Sequence, residues 1–299
     1  MKDMEITFLG TSGMMPTKDR NQTGILFSYG TENILFDCGE GMQRQLKIAG
    51  ISIMKITKIM ISHWHGDHVL GIPGLIQTIS AMDYKGKLKL YGPVGTKDRI
   101  TAILNAYIFE NKLDYEIIEI SEGVIVDNEY FTVEAYALEH NIDTFGFRIV
   151  EKDKLKIKTS YTEKLGIPDG PLLGKLQDGK DIEFKGKKIH SKDATTKVEG
   201  RIIGIIIDTL FCSNCIKIAK DADLLISETT YDSSLEEKAT EYKHMTAKQA
   251  GLIASQNNVK KLVLFHYSQR YKTSDIVFND AKEVFDNTIA AYDFMKVKL

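Results

Sequence analysis

The chain has 299 residues, 43% hydrophobic and 27% charged, with a formal net charge of -2. That balance is globular and excludes disordered, collagen-like and coiled-coil readings. It also argues against a protein that coats nucleic acid non-specifically, although a local basic patch could still bind one. In chain order, Glu5–Gly10, Gly24–Gly30 and Asn33–Asp37 read as short strands broken by Gly and Asn. Ile56–Ser62 is an apolar strand that runs directly into His63. Gly71–Met82 and Lys97–Phe109 carry helical spacing of apolar residues. Tyr115–Ile120, Gly123–Val126, Tyr130–Ala137 and Thr144–Val150 are four more strands. Arg201–Asp208 is a buried-type strand ending at an aspartate, and Ser213–Ala222 is helical. Leu224–Thr229 and Lys261–His266 are strands around a helix, Thr246–Asn257. A long amphipathic helix over Ile276–Tyr292 and a strand, Phe294–Leu299, close the chain. Two half-chains of strands plus helices predict an α/β fold, a four-layer αββα sandwich formed as one domain over 1–299.

One segment departs from this pattern. Residues 151–190 hold ten lysines against seven acidic residues, so they carry +3 while the rest of the chain carries -5. Pro168 and Pro171 sit here beside Gly166, Gly170 and Gly174, and apolar periodicity is weak. A basic, Gly/Pro-punctuated insertion between two core strands predicts a protruding arm.

The chemistry concentrates at His63-Trp64-His65-Gly66-Asp67-His68, which holds three of the seven histidines. Imidazole nitrogen and carboxylate oxygen suit zinc and similar borderline metals. His140, Asp208 and His266 each close an apolar β-type run, at the strand ends where further ligands would be needed. Asp208 can bridge two ions. His63, His65 and His140 with Asp208 would hold one, and Asp67, His68 and His266 with Asp208 the other. Two metals ~3.5–4 Å apart suit phosphodiester hydrolysis, because they hold hydroxide and clamp phosphate oxygens.

His-x-His-x-Asp-His followed by a distal His, Asp and His resembles the metallo-β-lactamase superfamily. Further motifs are similar to those of the ribonuclease Z family within it. They are Pro16-Thr17-Lys18-Asp19-Arg20-Asn21, Gly71-Ile72-Pro73-Gly74, and the His266-Tyr267-Ser268 stretch with Arg270-Tyr271. Gly166-Ile167-Pro168-Asp169-Gly170-Pro171-Leu172 resembles the arm of that family, the exosite for the transfer RNA elbow. The resemblance covers nearly the whole chain. It implies a two-zinc endoribonuclease that trims the 3′ trailer from precursor tRNA, in the short form that is usually a homodimer. It implies that hydroxide attacks phosphorus, that Asp67 takes the proton, and that His244, oriented by Glu228, protonates the leaving 3′-oxygen. Lys18, Arg20 and Arg270 become candidate phosphate contacts, since cationic donors suit phosphate oxygens. Gly170 and Pro171 become candidate tRNA-binding residues in the arm.

Two stretches depart from the family pattern. His-Glu-Ala-Thr is replaced by Ser227-Glu228-Thr229-Thr230, and His-Ser-Thr by His244-Met245-Thr246. The Glu/His pair is kept. The residues alone also leave open a related hydrolase of a thioester, lactone or small phosphodiester. A non-catalytic RNA-binding subunit and a DNA-directed nuclease stay open as well. Cys212-x-x-Cys215 is read as small packing residues, with a redox pair or half a zinc site as alternatives. Three cysteines are too few for a secreted disulfide framework. Ile202–Ile207 falls far short of the ~18 apolar residues of a membrane span, and the first residues lack a signal-peptide pattern. A cytoplasmic protein without membrane attachment is expected.

Overall fold

Two seven-stranded sheets form where short β-branched and aromatic runs alternate with Gly- and Asn-bearing turns. The computed structural model describes residues 4–82 and 84–299. The first sheet has the order Lys296–Lys298, Met4–Gly10, Gly24–Tyr29, Glu32–Phe36, Lys58–Met60, Leu88–Gly92, Tyr115–Glu119. Neighbours among its first four strands are antiparallel, and the later pairings are parallel. The second sheet has the order Thr288–Ala290, Leu262–Phe265, Leu224–Glu228, Ile202–Ile206, Thr144–Glu151, Phe131–Leu138, Gly123–Asp127. Its first four strands pair in parallel.

The two-residue period of the strands sorts their side chains into layers. Leu9, Leu26 and Leu35 pack with Met42, Leu46, Leu75 and Ile79 of helices Met42–Ile48 and Ile72–Ala81. Phe8 and Phe36 face the other way, with ring centroids 6.4 Å from Phe265 and 5.1 Å from Phe147 of the second sheet. Behind that sheet Ile206, Leu225 and Leu264 pack on helices Ser213–Ala219 and Ala247–Gln256. The result is helix, sheet, sheet, helix, the four-layer sandwich expected. Each fully buried Phe or Leu in it contributes about 1.5–3 kcal/mol.

Two elements differ from the sequence reading. The helix expected over Ile276–Tyr292 spans only Asp275–Lys282, and Thr288–Ala290 is a strand paired with Leu262–Leu264. Helical periodicity does continue through Val284 and Phe285, but Thr288 and Ile289 complete a sheet edge, and that pairing outweighs local propensity. The strand expected over Ile56–Ser62 is only Lys58–Met60. Ile61 N still donates to the Tyr91 carbonyl at 2.8 Å, and past it Ser62 and the histidines turn toward the sheet ends.

The chain divides into two compact units. One comprises Met1–Ile125, Val133–Ile149 and Ile202–Leu299, and the other Val126–Thr132 and Val150–Arg201. The smaller unit has its own core of Ile167, Leu176, Ile182, Ile189 and Ala194, despite the weak periodicity of its sequence. Its elements, such as strands Ile182–Phe184 and Lys187–Ile189, are too short to display a period. Lys185 and Gly186 join those two strands with φ 50° and 71°, the left-handed pair that a two-residue hairpin turn needs. No helix among the described residues is long and apolar enough to cross a membrane.

Candidate metal centre and active site

The ends of core strands meet around one cavity of about 610 Å³ in the larger unit, lined by His65, Asp67, His140, Asp208 and His266, with His63 and Glu228 behind it. His63 follows Lys58–Met60, His140 follows Phe131–Leu138, Asp208 follows Ile202–Ile206, and His266 follows Leu262–Phe265. Glu228 is the last residue of Leu224–Glu228. Asp67 and His68 lie on a short helix, Gly66–Val69, that opens right after His65. Loop ends of a rigid sheet are a common place for functional side chains, because the scaffold holds what the loop presents. His266 and Asp37 adopt φ 58°, a left-handed conformation that is rare for side chains other than glycine. Such strain persists where the surroundings hold it. Gly13 packs against the His266 ring so closely that a Cβ there would sit 2.5 Å from Cε1.

The seven expected ligands fall into two groups whose donor atoms lie within 4.8 Å of one another. His63, His65, His140 and Asp208 form one, and Asp67, His68 and His266 the other; Asp208 and His266 also group with His244. Asp208 Oδ1 is also 3.3 Å from His266 Nε2, and its Oδ2 is 3.5 Å from His68 Nε2, so the aspartate lies between the groups. Asp67 Oδ2 is 3.4 Å from His68 Nε2 and 3.5 Å from His266 Nε2, and accepts a hydrogen bond from Met14 N at 2.7 Å.

Hydrogen bonds behind the rings dictate which nitrogen faces inward. Ser62 Oγ donates to Asp37 Oδ2 at 2.8 Å, so it must accept from His63 Nδ1 at 2.9 Å. His68 Nδ1 donates to Asp37 Oδ2 at 2.7 Å, and His140 Nδ1 to the Lys243 carbonyl at 2.9 Å. With Nδ1 protonated, each Nε2 presents a lone pair. His63 Nε2 and His140 Nε2 then lie 3.1 and 3.2 Å from His65 Nδ1. His68 Nε2, His266 Nε2 and Asp208 Oδ1 are buried without a hydrogen-bond partner. Inward lone pairs and orphaned buried acceptors are costly unless a cation sits among them. The residues therefore fit divalent metal, with the outer hydrogen bonds that such ligands require.

The electrostatics agree. Burial pushes the proton affinity of His63 well down, and the charge of His68 adds to this against Asp208. Burial likewise lowers His65 and His140, keeping the imidazoles neutral as ligands must be. At His68 burial acts downward too, but Asp67, Asp208 and Asp37 overcome it and raise the ring well above its ordinary value. That surplus of negative charge is what a cation would neutralise.

Beside the ligands lies a buried carboxylate, Glu228. It accepts from Thr209 N at 2.8 Å, Met245 N at 3.2 Å and Thr230 Oγ1 at 2.7 Å. His244 Nδ1 donates to it at 3.0 Å. Burial disfavours the charged His244 ring, but the charge and hydrogen bond of Glu228 outweigh this and raise its pKa to about 9. Thr230 Oγ1 donates to Glu228 and accepts from His266 Nδ1 at 3.0 Å, so one hydroxyl connects a ligand to the Glu/His pair.

The other candidates are dispersed. Arg270 lines the cavity, with its guanidinium 4.9 Å from the Tyr231 ring centroid. Arg20 does not line it. Its Nη2 donates to the Tyr271 carbonyl at 2.6 Å, so the side chain holds the loop carrying Arg270 rather than standing free for phosphate. Lys18 is exposed beside Asp19 and also lies outside the cavity. Gly170 and Pro171 open the helix Pro171–Gln177 in the smaller unit. Ser227, where the family motif has histidine, has its hydroxyl donating to the Glu228 carbonyl at 3.1 Å and does not line the cavity. Trp64 packs on the helix side, with Nε1 donating to Thr96 Oγ1 at 2.9 Å. The sequence reading missed Asp37, Ser62 and Thr230. Asp37 carried a signal, since it closes an apolar run just as Asp208 does.

An αββα sandwich that gathers seven His and Asp side chains beside a Glu–His pair is the arrangement of a metal-dependent hydrolase of the metallo-β-lactamase fold. Residues 4–164 match the family described as anti-Pycsar protein Apyc1. Ribonuclease Z of Methanosarcina acetivorans is 39% identical over 99% of this chain and 98% of its own. Ribonuclease Z of Bacillus cereus is 38% identical, with 97% of each chain covered. The crystal structure of human tRNase Z, short form, is 30% identical with a TM-score of 0.72, covering 98% of both chains. These matches extend past residue 164 to the half that carries Asp208, Glu228, His244 and His266. The chain belongs to the ribonuclease Z family and is an endoribonuclease of that type.

Proposed function

We propose that this endoribonuclease removes the 3′ trailer from precursor tRNA with two zinc ions per chain. The observation that carries the metal chemistry is the pair of ligand groups sharing Asp208, with three buried acceptors pointing inward. The tRNA substrate rests on the likeness to human tRNase Z. His63, His65, His140 and Asp208 would hold one ion, and Asp67, His68, His266 and Asp208 the other. Two such ions polarise phosphate oxygens and acidify water.

The chain's own groups move the protons. Asp67, whose Oδ2 accepts from Met14 N at 2.7 Å, would take the proton from the attacking water. His244 has Nδ1 committed to Glu228, which leaves Nε2 to donate to the departing 3′-oxygen as the P–O3′ bond breaks. The products are a tRNA 3′-hydroxyl and a 5′-phosphorylated trailer. Arg270, which lines the cavity, would meet a phosphate there, and the lysine-rich unit with Gly170 and Pro171 would meet the tRNA body. The enzyme would act in the cytoplasm as a homodimer, which light scattering tests directly. The central test incubates zinc-loaded protein with 3′-labelled precursor tRNA. One cut at the tRNA–trailer junction supports the proposal. Intact RNA alongside rapid hydrolysis of a small phosphodiester would overturn the tRNA assignment.

A further inference from the structure

Behind Glu228 lies a second chemical feature that the reaction does not use. Cys212 Sγ and Cys215 Sγ are 3.6 Å apart, at and just inside the start of the helix Ser213–Ala219. A disulfide requires ~2.04 Å, so the sulfurs need to approach by only about 1.5 Å. The surroundings are not those of inert packing. Thr209 Oγ1 is 3.9 Å from Cys212 Sγ, and the Leu210 carbonyl oxygen is 3.9 Å from Cys215 Sγ. Cys212 is 7% exposed and Cys215 fully buried, which makes Cys212 the sulfur that a reagent meets first. Among the described residues neither belongs to a group of potential metal ligands, so half a zinc site finds no other half.

The segment between the sulfurs and the active site is short and fully bonded. Thr209 N donates to Glu228 Oε1 at 2.8 Å, and Thr209 Oγ1 accepts from Glu139 N at 3.0 Å. Leu210 N donates to the Glu139 carbonyl at 2.9 Å. Thr209 thus touches the carboxylate that orients His244 and the residue that precedes the ligand His140.

We propose that Cys212 and Cys215 are a reversible dithiol–disulfide pair, oxidised by a small disulfide, whose closure disturbs the Thr209–Glu228 contact and slows catalysis. The hydrogen bond from Cys215 lowers Cys212 to about 6; burial opposes it, and the N–H groups of Cys215 and Asn214 assist. The same pairing, with burial, raises Cys215. The asymmetry assigns the steps. The Cys212 thiolate attacks one sulfur of the small disulfide, whose S–S bond breaks and whose other half leaves as a thiolate that takes up a proton. Cys215 then gives its proton to solvent and attacks Cys212 Sγ, expelling the second half as a thiol. Two protein thiols are oxidised and one small disulfide is reduced to two thiols. Closure removes the Cys215 proton, draws Cys212 off Thr209 and shifts Cys215 against the Leu210 carbonyl.

The test equilibrates the metal-loaded enzyme with oxidised glutathione. Thiols are then counted after denaturation, and peptides are mapped. The three thiols should fall to one, with the new bond between Cys212 and Cys215 and Cys38 left free. Turnover on a chromogenic phosphodiester should fall about tenfold or more, as small misplacements of catalytic groups do, and recover with dithiothreitol while metal content stays constant. Cys212→Ser and, separately, Cys215→Ala should keep the reduced enzyme's rate and lose the response. Three thiols persisting in excess oxidised glutathione would overturn the proposal. So would a disulfide that leaves turnover unchanged, or Cys212→Ser protein that is still inhibited. The chromogenic substrate keeps the result independent of the tRNA assignment.

Discussion

The strand-end cluster and the lysine-rich unit use charge in opposite ways. His63, His68, Asp208, Glu228 and His266 are each at most 3% exposed. Of the ten lysines in residues 151–190, nine are exposed and Lys154 is half-buried. Buried charge acts at low effective dielectric, so each group must be fixed by hydrogen bonds and paired, and angstrom-scale changes matter. Exposed lysines act through net charge, screened over roughly 8–10 Å, and no single one is decisive. Ion pairs such as Lys197–Asp153 at 2.7 Å and Lys188–Asp181 at 3.4 Å add little stability at such a surface. The difference teaches that one region should fail abruptly under single substitutions and the other gradually.

Asp208→Ala offers the sharpest break. It removes the carboxylate that lies between the two groups, so metal content should fall and turnover should drop by about 10³-fold or more, the scale of several kcal/mol of Lewis-acid stabilisation. Elemental analysis beside kinetics checks it, and a variant that keeps its metals would show that Asp208 is not shared.

His244→Ala should cost ~10²–10⁴-fold on RNA while metals are retained, the range for a lost general acid. A nitrophenyl phosphodiester, whose leaving group needs little protonation, should be affected far less. Equal losses on both substrates would assign His244 another role. Glu228→Gln refines the same point. Glu228 holds the proton on His244, so without its charge the ring loses that proton at lower pH. The alkaline limb of kcat/KM should therefore move to lower pH, and an unmoved limb would disconnect the pair.

Thr230→Val keeps the shape but removes the hydroxyl that His266 and Glu228 share. A loss of about 10–100-fold in metal affinity is the usual scale for outer hydrogen bonds. Thr230→Ser should restore it, and metal titration followed by calorimetry reads both.

The smallest effect per residue belongs to the other region. Replacing Lys175, Lys180, Lys185 and Lys187 with Gln one at a time should change tRNA affinity little. All four together should weaken it and flatten its salt dependence, by about 0.7–0.9 in log–log slope per lost phosphate contact. Hydrolysis of the small phosphodiester should not change. An unchanged salt slope would make this unit an ordinary surface.

Much of this contrast is legible without coordinates. The apolar runs that end at His140, Asp208 and His266 mark strands that deliver polar groups to the cavity, whereas Asp127 ends a similar run and pairs at the surface with Lys152. Ile276–Tyr292 was misread because a helical period continues past Lys282, while the pairing that captures Ile289 opposite Val263 involves a distant strand. The core of Ile167, Leu176 and Ile182 was invisible because elements of three to seven residues show no period. Arg20 and Arg270 are the same residue type in the same kind of loop. Only packing shows that one grips the Tyr271 carbonyl and the other lines the cavity.

By itself the sequence determined the ligand inventory, the alternating sheet layers and the basic insertion, since these follow from residue type and local period. Tertiary structure alone decided which nitrogen of each histidine faces inward, that Asp208 lies between two ligand groups, and that Asp37, Ser62 and Thr230 stand behind them. Those facts depend on hydrogen bonds between residues far apart in the chain, such as Asp37 with His68 and Thr230 with His266. No local pattern encodes such bonds, because they form only when the strand ends meet.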